Sequence, residues 1–348
     1  MFKKNFSKIF ILIAAFFLIV AVGVSLYYYK VFISPNIYTD NKEKTYINIS
    51  QSVDTPDSVI KILQERVRVK NLNSLKKAIK KFQYATVRSG HYEVHNGMGN
   101  KELINMLQRG LQKPVRVTFN NIRTKEQLAG VLSKQLMPDS VSILTLLNDS
   151  EYLARYGLNP ENVLVTFIPN TYEFFWNVDE GKIFERMYRE YEKFWTPERR
   201  EKATEIPLTP IEVSILASIV EEETNKSYEY STVAGLYVNR LKRKIPLQAD
   251  PTVKYAIGDF EIRRVLNVHL DIDSPYNTYR YRGLPPGPIR IPSVQTIDAV
   301  LNYEEHNYIY MVAKETLNGE HNFASTLREH NNNANKYRRA LNRLNIYN

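Results

Sequence analysis

The chain has 348 residues, of which 43% are hydrophobic and 24% charged, and it contains no cysteine. This composition indicates a folded protein of about two domains, and it excludes a disordered chain, a disulfide-stabilised scaffold and any site built on thiolates. The net charge of +10 is spread along the sequence, which indicates a basic surface suited to an anionic membrane or polymer more than a nucleic-acid site.

The N-terminus carries an apolar segment long enough to cross a membrane. Residues 9–29 contain no charged side chain, and about 20 such residues span a bilayer as a helix. Because lysines precede this run, the positive-inside rule leaves residues 1–8 in the cytoplasm and exports the chain after Lys30. The alternative is a cleaved signal peptide, but its apolar region is usually shorter, and only residues 22–25 offer a weak cleavage site. We therefore expect a single-pass protein of the inner membrane whose larger part is exported.

The first part of the exported region predicts a small α/β module at residues 44–113. Residues 31–43, before it, are mixed in character and predict a linker. Within the module the patterns predict strands at 45–49 and 89–94 and helices at 55–67, 75–82 and 100–107. Thr55, Ser74 and Asn100 are the expected N-caps of these helices, and Gly110 is expected to close the last one.

The remainder, residues 114–346, predicts a larger α+β domain. A strand is expected at 115–119, and helices are expected at 124–136, from 140 to about 146, at 182–194 and at 232–243. Residues 167–176 (FIPNTYEFFW) are unusually aromatic. Such a segment is either part of the core or a sugar-stacking surface, and general composition favours the core.

Residues 209–225 (TPIEVSILASIVEEETN) predict a helix with a well-determined start. Thr209 suits the N-cap, Pro210 suits the first helical position, and Glu212 completes a capping box. The apolar residues recur at helical spacing and form a stripe along one face.

Three adjacent glutamates end this helix. At 100° per residue, Glu223 lies near the middle of the apolar stripe, Glu222 near its edge and Glu221 on the opposite face. A carboxyl held against apolar neighbours has a raised pKa and can keep a proton near neutral pH, as a general acid requires. The alternative is a solvated charge run at a helix end, which would carry no chemistry.

Further along, polar side chains occur in loops rich in proline and glycine. Gln248 and Asp250 flank one residue of a proline-containing turn and could converge on a ligand, although Asp250 could instead be a helix N-cap. Residues 274–279 and 283–289 predict rigid loops, and their Tyr and Asn side chains suit carbohydrate binding.

Other site types are excluded or disfavoured by the sequence. His321 and His330 could ligate a metal, but no HExxH pattern accompanies them, so hydrogen-bonding roles are expected and no metal is predicted. The sequence has no phosphate-binding loop, no GxGxxG and no GxSxG, which leaves nucleotide and serine-hydrolase chemistry without support.

The ordered set SIVEEET, NRL, LQADPTV, SPYNTY, GLPPGPI and H-x-F-x-x-T-x-x-EHN, over residues 209–333, resembles the MltG/YceG-like family of endolytic murein transglycosylases. The resemblance implies an α+β fold with an N-terminal transmembrane helix, a small LysM-like α/β module at 44–113 and a larger α+β catalytic domain at 114–346. It also implies cleavage of the β-1,4 bond between N-acetylmuramic acid and N-acetylglucosamine in peptidoglycan glycan strands, with formation of a 1,6-anhydro end. No cofactor is implied, and peptidoglycan synthases of the elongation machinery are the implied protein partners.

The resemblance also implies roles for individual residues. The catalytic glutamate of the family precedes Thr in an E-x-E-T motif, which assigns the role to Glu223, the same residue that the helical wheel selects. The expected substrate-binding residues are Gln248, Asp250, Thr252, Tyr276, Asn277, Thr278, Tyr279 and Glu221, the last in a supporting role.

Three alternatives remain open at this point. A hydrolytic muramidase would use Glu223 as the acid and Asp250 as a second carboxylate that activates water. A non-catalytic wall-binding scaffold would tolerate Glu223→Gln. Nucleic-acid binding would be steeply salt-dependent, and the exported location disfavours it.

Overall fold

The computed structural model describes residues 2–40, 43–262 and 264–344, and it describes the side chains from residue 8 onward. The chain is a mixed α+β protein and divides into two compact units. The first unit runs to Arg116 and adds Gln135–Met137 and Glu173–Val178. The second unit comprises Val117–Lys134, Pro138–Tyr172 and the chain from Asp179 onward.

The chain begins with a long apolar helix, α1 (Phe2–Tyr28). From residue 9 onward its side chains are almost all exposed, although most of them are hydrophobic. The segment Lys8–Ile33 is long and apolar enough to cross a membrane. The expectation of an apolar N-terminal helix is therefore confirmed, and a membrane anchor and a signal sequence both fit this finding.

The segment after α1 is not a linker, and that prediction was wrong. A π-helical turn, Tyr29–Ile33, follows α1 directly, and strand β1 (Pro35–Tyr38) comes next. Val31 and Phe32 are buried in the core of the first unit. The mixed composition of residues 31–43 concealed this, because alternate apolar side chains of a short strand are easily taken for a linker.

The first unit is built from short strands and three helices around one core. The elements are α2 (Pro56–Arg66), α3 (Leu72–Lys81), α4 (Asn100–Arg109), β2 (Lys44–Ile49), β3 (Arg68–Val69), β4 (Gly90–His95) and β5 (Met98–Gly99). Strand β1 pairs antiparallel with β3 and β5, while β2 pairs antiparallel with β4 from Lys44↔His95 to Ile49↔Gly90. The strands and helices predicted for this region are present.

Two predicted caps in this unit were wrong. Helix α3 starts one turn earlier than predicted, because the Asn71 side chain accepts the Ser74 backbone N–H. Gly99 occupies the cap position of α4. Asn100 is instead buried and donates to the carbonyl of Val31 at 2.7 Å. Sequence alone does not distinguish such neighbouring cap candidates.

The second unit is mainly helical. Its helices are α5 (Lys125–Ser133), α6 (Ser140–Leu147), α7 (Ser150–Ala154), α8 (Glu180–Phe194), α9 (Pro197–Glu205), α10 (Pro210–Glu223), α11 (Tyr230–Lys242), α12 (Asp250–Ile257), α13 (Asn267–Leu270), α14 (Val294–Leu301) and α15 (Leu327–Arg343). Strands β6 (Pro114–Thr118) and β7 (Thr171–Phe175) form one two-stranded sheet, and β8 (Tyr310–Ala313) and β9 (His321–Ala324) form another. The boundary between the two units falls within β6 and β7.

The aromatic segment at residues 167–176 is core. Phe167, Tyr172 and Phe174 are buried, and Phe167 packs edge-on against Phe119 with ring centroids 6.0 Å apart. Phe175 is the exposed exception. Alternation along β7 explains this pattern, because successive side chains point to opposite faces of a strand.

Helix α10 is the centre of the second unit. Its capping box at Thr209 and Glu212 forms as predicted, with Pro210 in the first turn. All eight residues from 213 to 220 are buried, and α9, α11, α12 and α14 pack around it. The predicted one-sided apolar stripe was therefore too narrow, since a helix enclosed by other helices is buried all round.

Candidate active site

Glu223 is the last residue of α10, so its position follows from the register that the capping box sets fourteen residues earlier. Its Oε1 accepts a hydrogen bond of 2.8 Å from the hydroxyl of Tyr237 on α11. The pKa of Glu223 is raised to about 7, chiefly by burial and to a lesser degree by the charge of Asp250, while the Tyr237 hydrogen bond opposes the shift. A carboxyl with this pKa holds its proton for about half the time at neutral pH.

The Tyr237 hydrogen bond distinguishes the two oxygens of this carboxyl. Because Oε1 accepts the Tyr237 hydrogen bond, Oε2 is the oxygen left to carry the proton when the carboxyl is neutral. Tyr237 is itself buried, so its ring fixes the direction in which the carboxyl points. The arrangement therefore orients a protonated oxygen rather than only holding a charge.

Glu223 lines a cavity of about 490 Å³. Its polar lining comprises Glu223, Tyr237, Arg240, Gln248, Asp250, Tyr279, Tyr310, His321 and His330, and its apolar lining comprises Leu236, Met311, Val312, Ala313 and Leu327. Three of the predicted site residues besides Glu223 are thus brought together here: Gln248, Asp250 and Tyr279. A volume of this size accommodates a small organic ligand.

Asp250 is not a helix cap. Ala249 occupies the cap position of α12, and Asp250 is the first helical residue with no capping bond. Its Oδ1 instead accepts a hydrogen bond of 2.5 Å from the hydroxyl of Tyr279. The capping alternative is therefore wrong, and the carboxylate faces the cavity that Glu223 lines.

Gln248 adopts a left-handed backbone conformation, with φ of 52°. Such a conformation is strained for a residue other than glycine. Its backbone N–H donates to the carbonyl of Thr278 at 3.1 Å, and its side-chain Oε1 accepts from Nη2 of Arg240 at 2.7 Å. The surrounding bonds therefore hold a strained residue in place at the cavity wall.

The other predicted residues of this region form the support beneath the cavity rather than its lining. Asn277 is fully buried and donates to the carbonyls of Leu270 and Ile272. The Thr278 hydroxyl accepts from the Ala249 N–H and lies 2.9 Å from the hydroxyl of Thr252. The Thr278 bonds connect the loop at 274–281 to the start of α12. Because Asp250 is the first residue of α12, they also fix its position.

Tyr276 lies outside the Glu223 cavity. Its ring packs against that of Tyr255, with centroids 4.7 Å apart. Its hydroxyl lies 2.9 Å from the Cβ that any side chain at Gly287 would have, and such a Cβ would overlap the carbonyl oxygen of Glu161. A glycine in the GLPPGPI loop is therefore required by close backbone packing.

Glu221 and Glu222 are also outside the cavity. Glu221 is 12% exposed, and its Oε2 accepts from the Ser293 N–H at 2.6 Å and the Thr296 hydroxyl at 2.9 Å. The outward direction predicted for Glu221 is wrong, because α14 covers that face of α10. The alternative of a solvated charge run is also wrong, since Glu222 is largely shielded from solvent and pairs with Arg123 and Arg290.

Sequence reasoning missed the contribution of α11 and of a buried acid beside the cavity. Tyr237 and Arg240 are three residues apart and therefore share a face of α11, which the NRL motif alone did not signal. Glu229 is buried, accepts from the Thr224 hydroxyl at 2.8 Å and lies 2.9 Å from Nδ1 of His321. A carboxylate partner on Nδ1 directs Nε2 of this histidine away from Glu229.

The two histidines of the cavity do not form part of a metal-ligand group. His321 pairs with Glu229, and the ring of His330 stacks on Tyr310 with centroids 5.2 Å apart. In the described part of the chain, no three His, Asp or Glu side chains are grouped as a metal would need.

The chain is similar in sequence and in structure to several known proteins. An endolytic murein transglycosylase of Bacillus subtilis (strain 168) is 28% identical over 337 residues, or 91% of each chain. Another, from Streptococcus pneumoniae serotype 2, is 27% identical over 72% of this chain and 50% of its own length. The crystal structure of a yceG-like protein from Listeria monocytogenes aligns with a TM-score of 0.55 at 26% identity, covering 84% of this chain and 99% of that one.

The match extends across both compact units. The model of the YceG-like family covers residues 48–336, a span that begins in β2 and ends within α15 and includes every residue of the Glu223 cavity. Because this span exceeds half of the sequence, the chain belongs to the YceG-like family.

Proposed function

We propose that this protein is an endolytic lytic transglycosylase of peptidoglycan, which cleaves the β-1,4 bond between N-acetylmuramic acid and N-acetylglucosamine. The observation that carries the proposal is the Glu223 carboxyl, which lines the cavity with a pKa of about 7 and is oriented by Tyr237. The names of the relatives support the same activity. A single acid of this kind is sufficient when the nucleophile belongs to the substrate.

The proposed reaction has two proton transfers and no water. Glu223 donates its Oε2 proton to the glycosidic oxygen, the bond from that oxygen to C1 of the muramyl ring breaks, and positive charge develops at C1. The 6-hydroxyl oxygen of the same ring then bonds to C1, and its proton passes to the ionised Glu223. The products are a 1,6-anhydromuramyl end and a free 4-hydroxyl on N-acetylglucosamine. The enzyme regains its starting protonation state.

The intramolecular nucleophile explains why one carboxyl suffices. Holding a hydroxyl of the same ring near C1 replaces a bimolecular attack, which gives a high effective concentration. The cavity must then hold the ring in a distorted conformation. We propose that Gln248, Asp250 and Tyr279 do this directly and that Thr252, Tyr276, Asn277, Thr278 and Glu221 hold their loops and helix in place.

A hydrolytic muramidase is the second candidate, and a specific observation favours it. Asp250 lines the same cavity as Glu223 and could activate a water molecule as the second carboxylate of a hydrolase. The Tyr279 hydrogen bond argues for a positioning role instead, since it occupies one of the two carboxylate oxygens. The two reactions differ in product, because hydrolysis leaves a reducing end and transglycosylation leaves an anhydro end.

We further propose a location and a domain organisation for this activity. Helix α1 anchors the protein in the cell membrane with residues 1–8 in the cytoplasm, residues 44–113 form a LysM-like module, and residues 114–346 form the catalytic domain. Such an enzyme would terminate or release nascent glycan strands beside the synthases of the elongation machinery.

The test is mass spectrometry of muropeptides after incubation of the full chain in detergent with purified peptidoglycan. We expect anhydromuramyl products from the wild type and none from Glu223→Gln. Glu201→Gln is the matched control, because Glu201 is an exposed acid on α9 and its loss should leave activity unchanged. Reducing-end products would establish the muramidase, and unchanged cleavage by Glu223→Gln would reject both enzymatic candidates.

A further inference from the structure

Arg240 is a buried cation at the wall of the Glu223 cavity. It is 8% exposed, and it lines the cavity together with Tyr310, whose ring centroid lies 5.8 Å from the guanidinium carbon. Arg240 donates hydrogen bonds to two neutral acceptors. Its Nη1 donates to the Leu247 carbonyl at 3.2 Å, and its Nη2 donates to Gln248 Oε1 at 2.7 Å. Its Nε is buried and has no hydrogen-bond partner in the part of the chain that the structure describes.

Other half-buried arginines of this unit are paired with carboxylates. Arg290 contacts Glu221 and Glu222, and Arg199 contacts Asp298 through both Nε and Nη2. Arg240 is more buried than either, yet no carboxylate among the described residues lies within ion-pair distance of it. Buried charges in proteins are normally paired, because an unpaired one loses its hydration without compensation.

The acids in the cavity and the one beside it do not fill this role. Glu223 is only partly ionised near neutral pH, since its pKa is raised to about 7. Asp250 is bonded to the Tyr279 hydroxyl, and Glu229 is bonded to Thr224 and His321. A guanidinium that faces an open cavity without a carboxylate of its own is suited to bind an anion that enters with the ligand.

Beside Arg240, the cavity wall has a second polar group without a partner and a residue in a strained backbone conformation. His330 lines the cavity, and its Nδ1 is buried without a hydrogen-bond partner in the described structure. Gln248, whose backbone conformation is strained, accepts a hydrogen bond from the guanidinium of Arg240. The lining of the cavity therefore includes two carboxyl groups, Glu223 and Asp250, and one buried cation, Arg240.

We infer that Arg240 forms a carboxylate-binding subsite for the glycan substrate, an inference that rests on the proposed function. Peptidoglycan offers this chemistry from two sources. A muramyl residue without a peptide has a free lactyl carboxylate, and a muramyl residue with a peptide has carboxylates along that peptide. Either source would place the muramyl ring, rather than N-acetylglucosamine, beside Arg240.

The test is calorimetric binding of soluble glycan fragments to the full chain carrying Glu223→Gln, which prevents cleavage. The fragments form two pairs: peptide-free glycan with free or methylamidated lactyl groups, and peptide-bearing glycan with free or amidated peptide carboxylates. We expect removal of the carboxylate to weaken binding about tenfold or more in at least one pair. A loss in the first pair assigns the lactyl group, and a loss in the second assigns the peptide.

Variants at Arg240 complete the test. Arg240→Gln in the same background should bind both members of each pair equally, and Arg240→Lys, which keeps the charge without the planar fork, should keep part of the preference. Arg243→Gln, at the exposed end of the same helix, should keep all of it. Equal binding of all four fragments by the parent protein would overturn the subsite, and that measurement needs no Arg240 variant to fold.

The subsite and the proposed function fail separately. A carboxylate preference in binding without anhydro products from the wild type would leave the subsite standing and reject the activity. Anhydro products with no preference in either pair would reject the subsite alone.

Discussion

At the scale of single residues, the burial of Glu223 supports its proposed role as an acid but has a cost in stability. The burial that raises its pKa to about 7 keeps a proton available, but it also makes the ionised carboxyl less stable in the folded chain than in the unfolded chain. Below about pH 4.5 both states hold the proton, and above about pH 7 both have lost it. The folded state is therefore destabilised by this group at alkaline pH.

We accordingly expect Glu223→Gln to be more stable than the wild type above pH 7, by on the order of 3 kcal/mol. The difference should decline as the pH falls from 7 towards 4.5, because protonation of Glu223 then favours the folded wild type. Urea unfolding at pH 8 and pH 4 measures it. A difference that does not change with pH would mean that Glu223 has an ordinary pKa in the folded protein.

Tyr237→Phe should shift the pH dependence of cleavage rather than abolish it. The Tyr237 hydrogen bond lowers the pKa of Glu223, so its removal should raise that pKa and extend activity to higher pH. The measurement is kcat/KM between pH 5 and 9, where the wild-type rate should fall above about pH 7. Tyr337→Phe on α15, outside the cavity, should leave the profile unchanged.

The catalytic candidate itself could be predicted from sequence, but much of its surroundings could not. Helical periodicity placed Glu223 on the inward face because a strong capping box fixed the start of α10. Glu221 was misplaced because one helix considered alone does not reveal that α14 covers its other face. Arg240 was not identified from sequence, because only the folded structure shows that no carboxylate pairs with it.

At the scale of elements, α11 carries both Tyr237 and Arg240, so its position matters for the cavity. Gly235 on this helix faces the backbone of a neighbouring segment. A Cβ there would overlap the Glu304 carbonyl oxygen and lie 2.8 Å from Nε2 of His306. The helix can approach that segment only because this residue has no side chain.

Gly235→Ala should therefore displace α11, destabilise the protein by about 1–3 kcal/mol and reduce cleavage. Gly130→Ala is the matched control, because Gly130 is also helical but has nothing within 4 Å of its Cβ position. That change should be neutral or stabilising by up to about 1 kcal/mol. Urea midpoints of the two variants give the comparison, and equal midpoints would contradict the close approach.

Element types were more predictable than element boundaries. Helices α2, α5 and α10 start where Thr55, Thr124 and Thr209 predicted, because each threonine accepts a backbone N–H three residues later. Helix α3 starts elsewhere because Asn71 offers the same chemistry one turn earlier. Where two residues could cap the same helix, tertiary packing decides which one does. Packing cannot be read from one sequence, so boundaries are harder to predict than element types.

At the scale of the whole molecule, the proposed anchor predicts how the protein fractionates. The full chain should sediment with membranes, resist extraction by high salt, dissolve in detergent and retain residues 1–29 by intact mass. Leu18→Arg, in the middle of α1, should weaken membrane retention, since a charge at the bilayer centre costs about 3 kcal/mol. Val141→Arg, at an exposed position on α6, should not. A shortened, salt-extractable product would indicate a cleaved signal peptide instead.

The junction between α1 and the rest of the first unit has a mechanical consequence. Helix α1 passes into a turn whose Val31 and Phe32 are buried, and Phe32 packs against Phe82 with ring centroids 5.4 Å apart. With α1 in a bilayer, no flexible linker would separate the membrane-spanning helix from the folded module. Under the proposed anchoring, the module would stay at the lipid surface and move only by lateral diffusion in the membrane. Newly made glycan near the membrane would then be within its reach more than mature wall farther away.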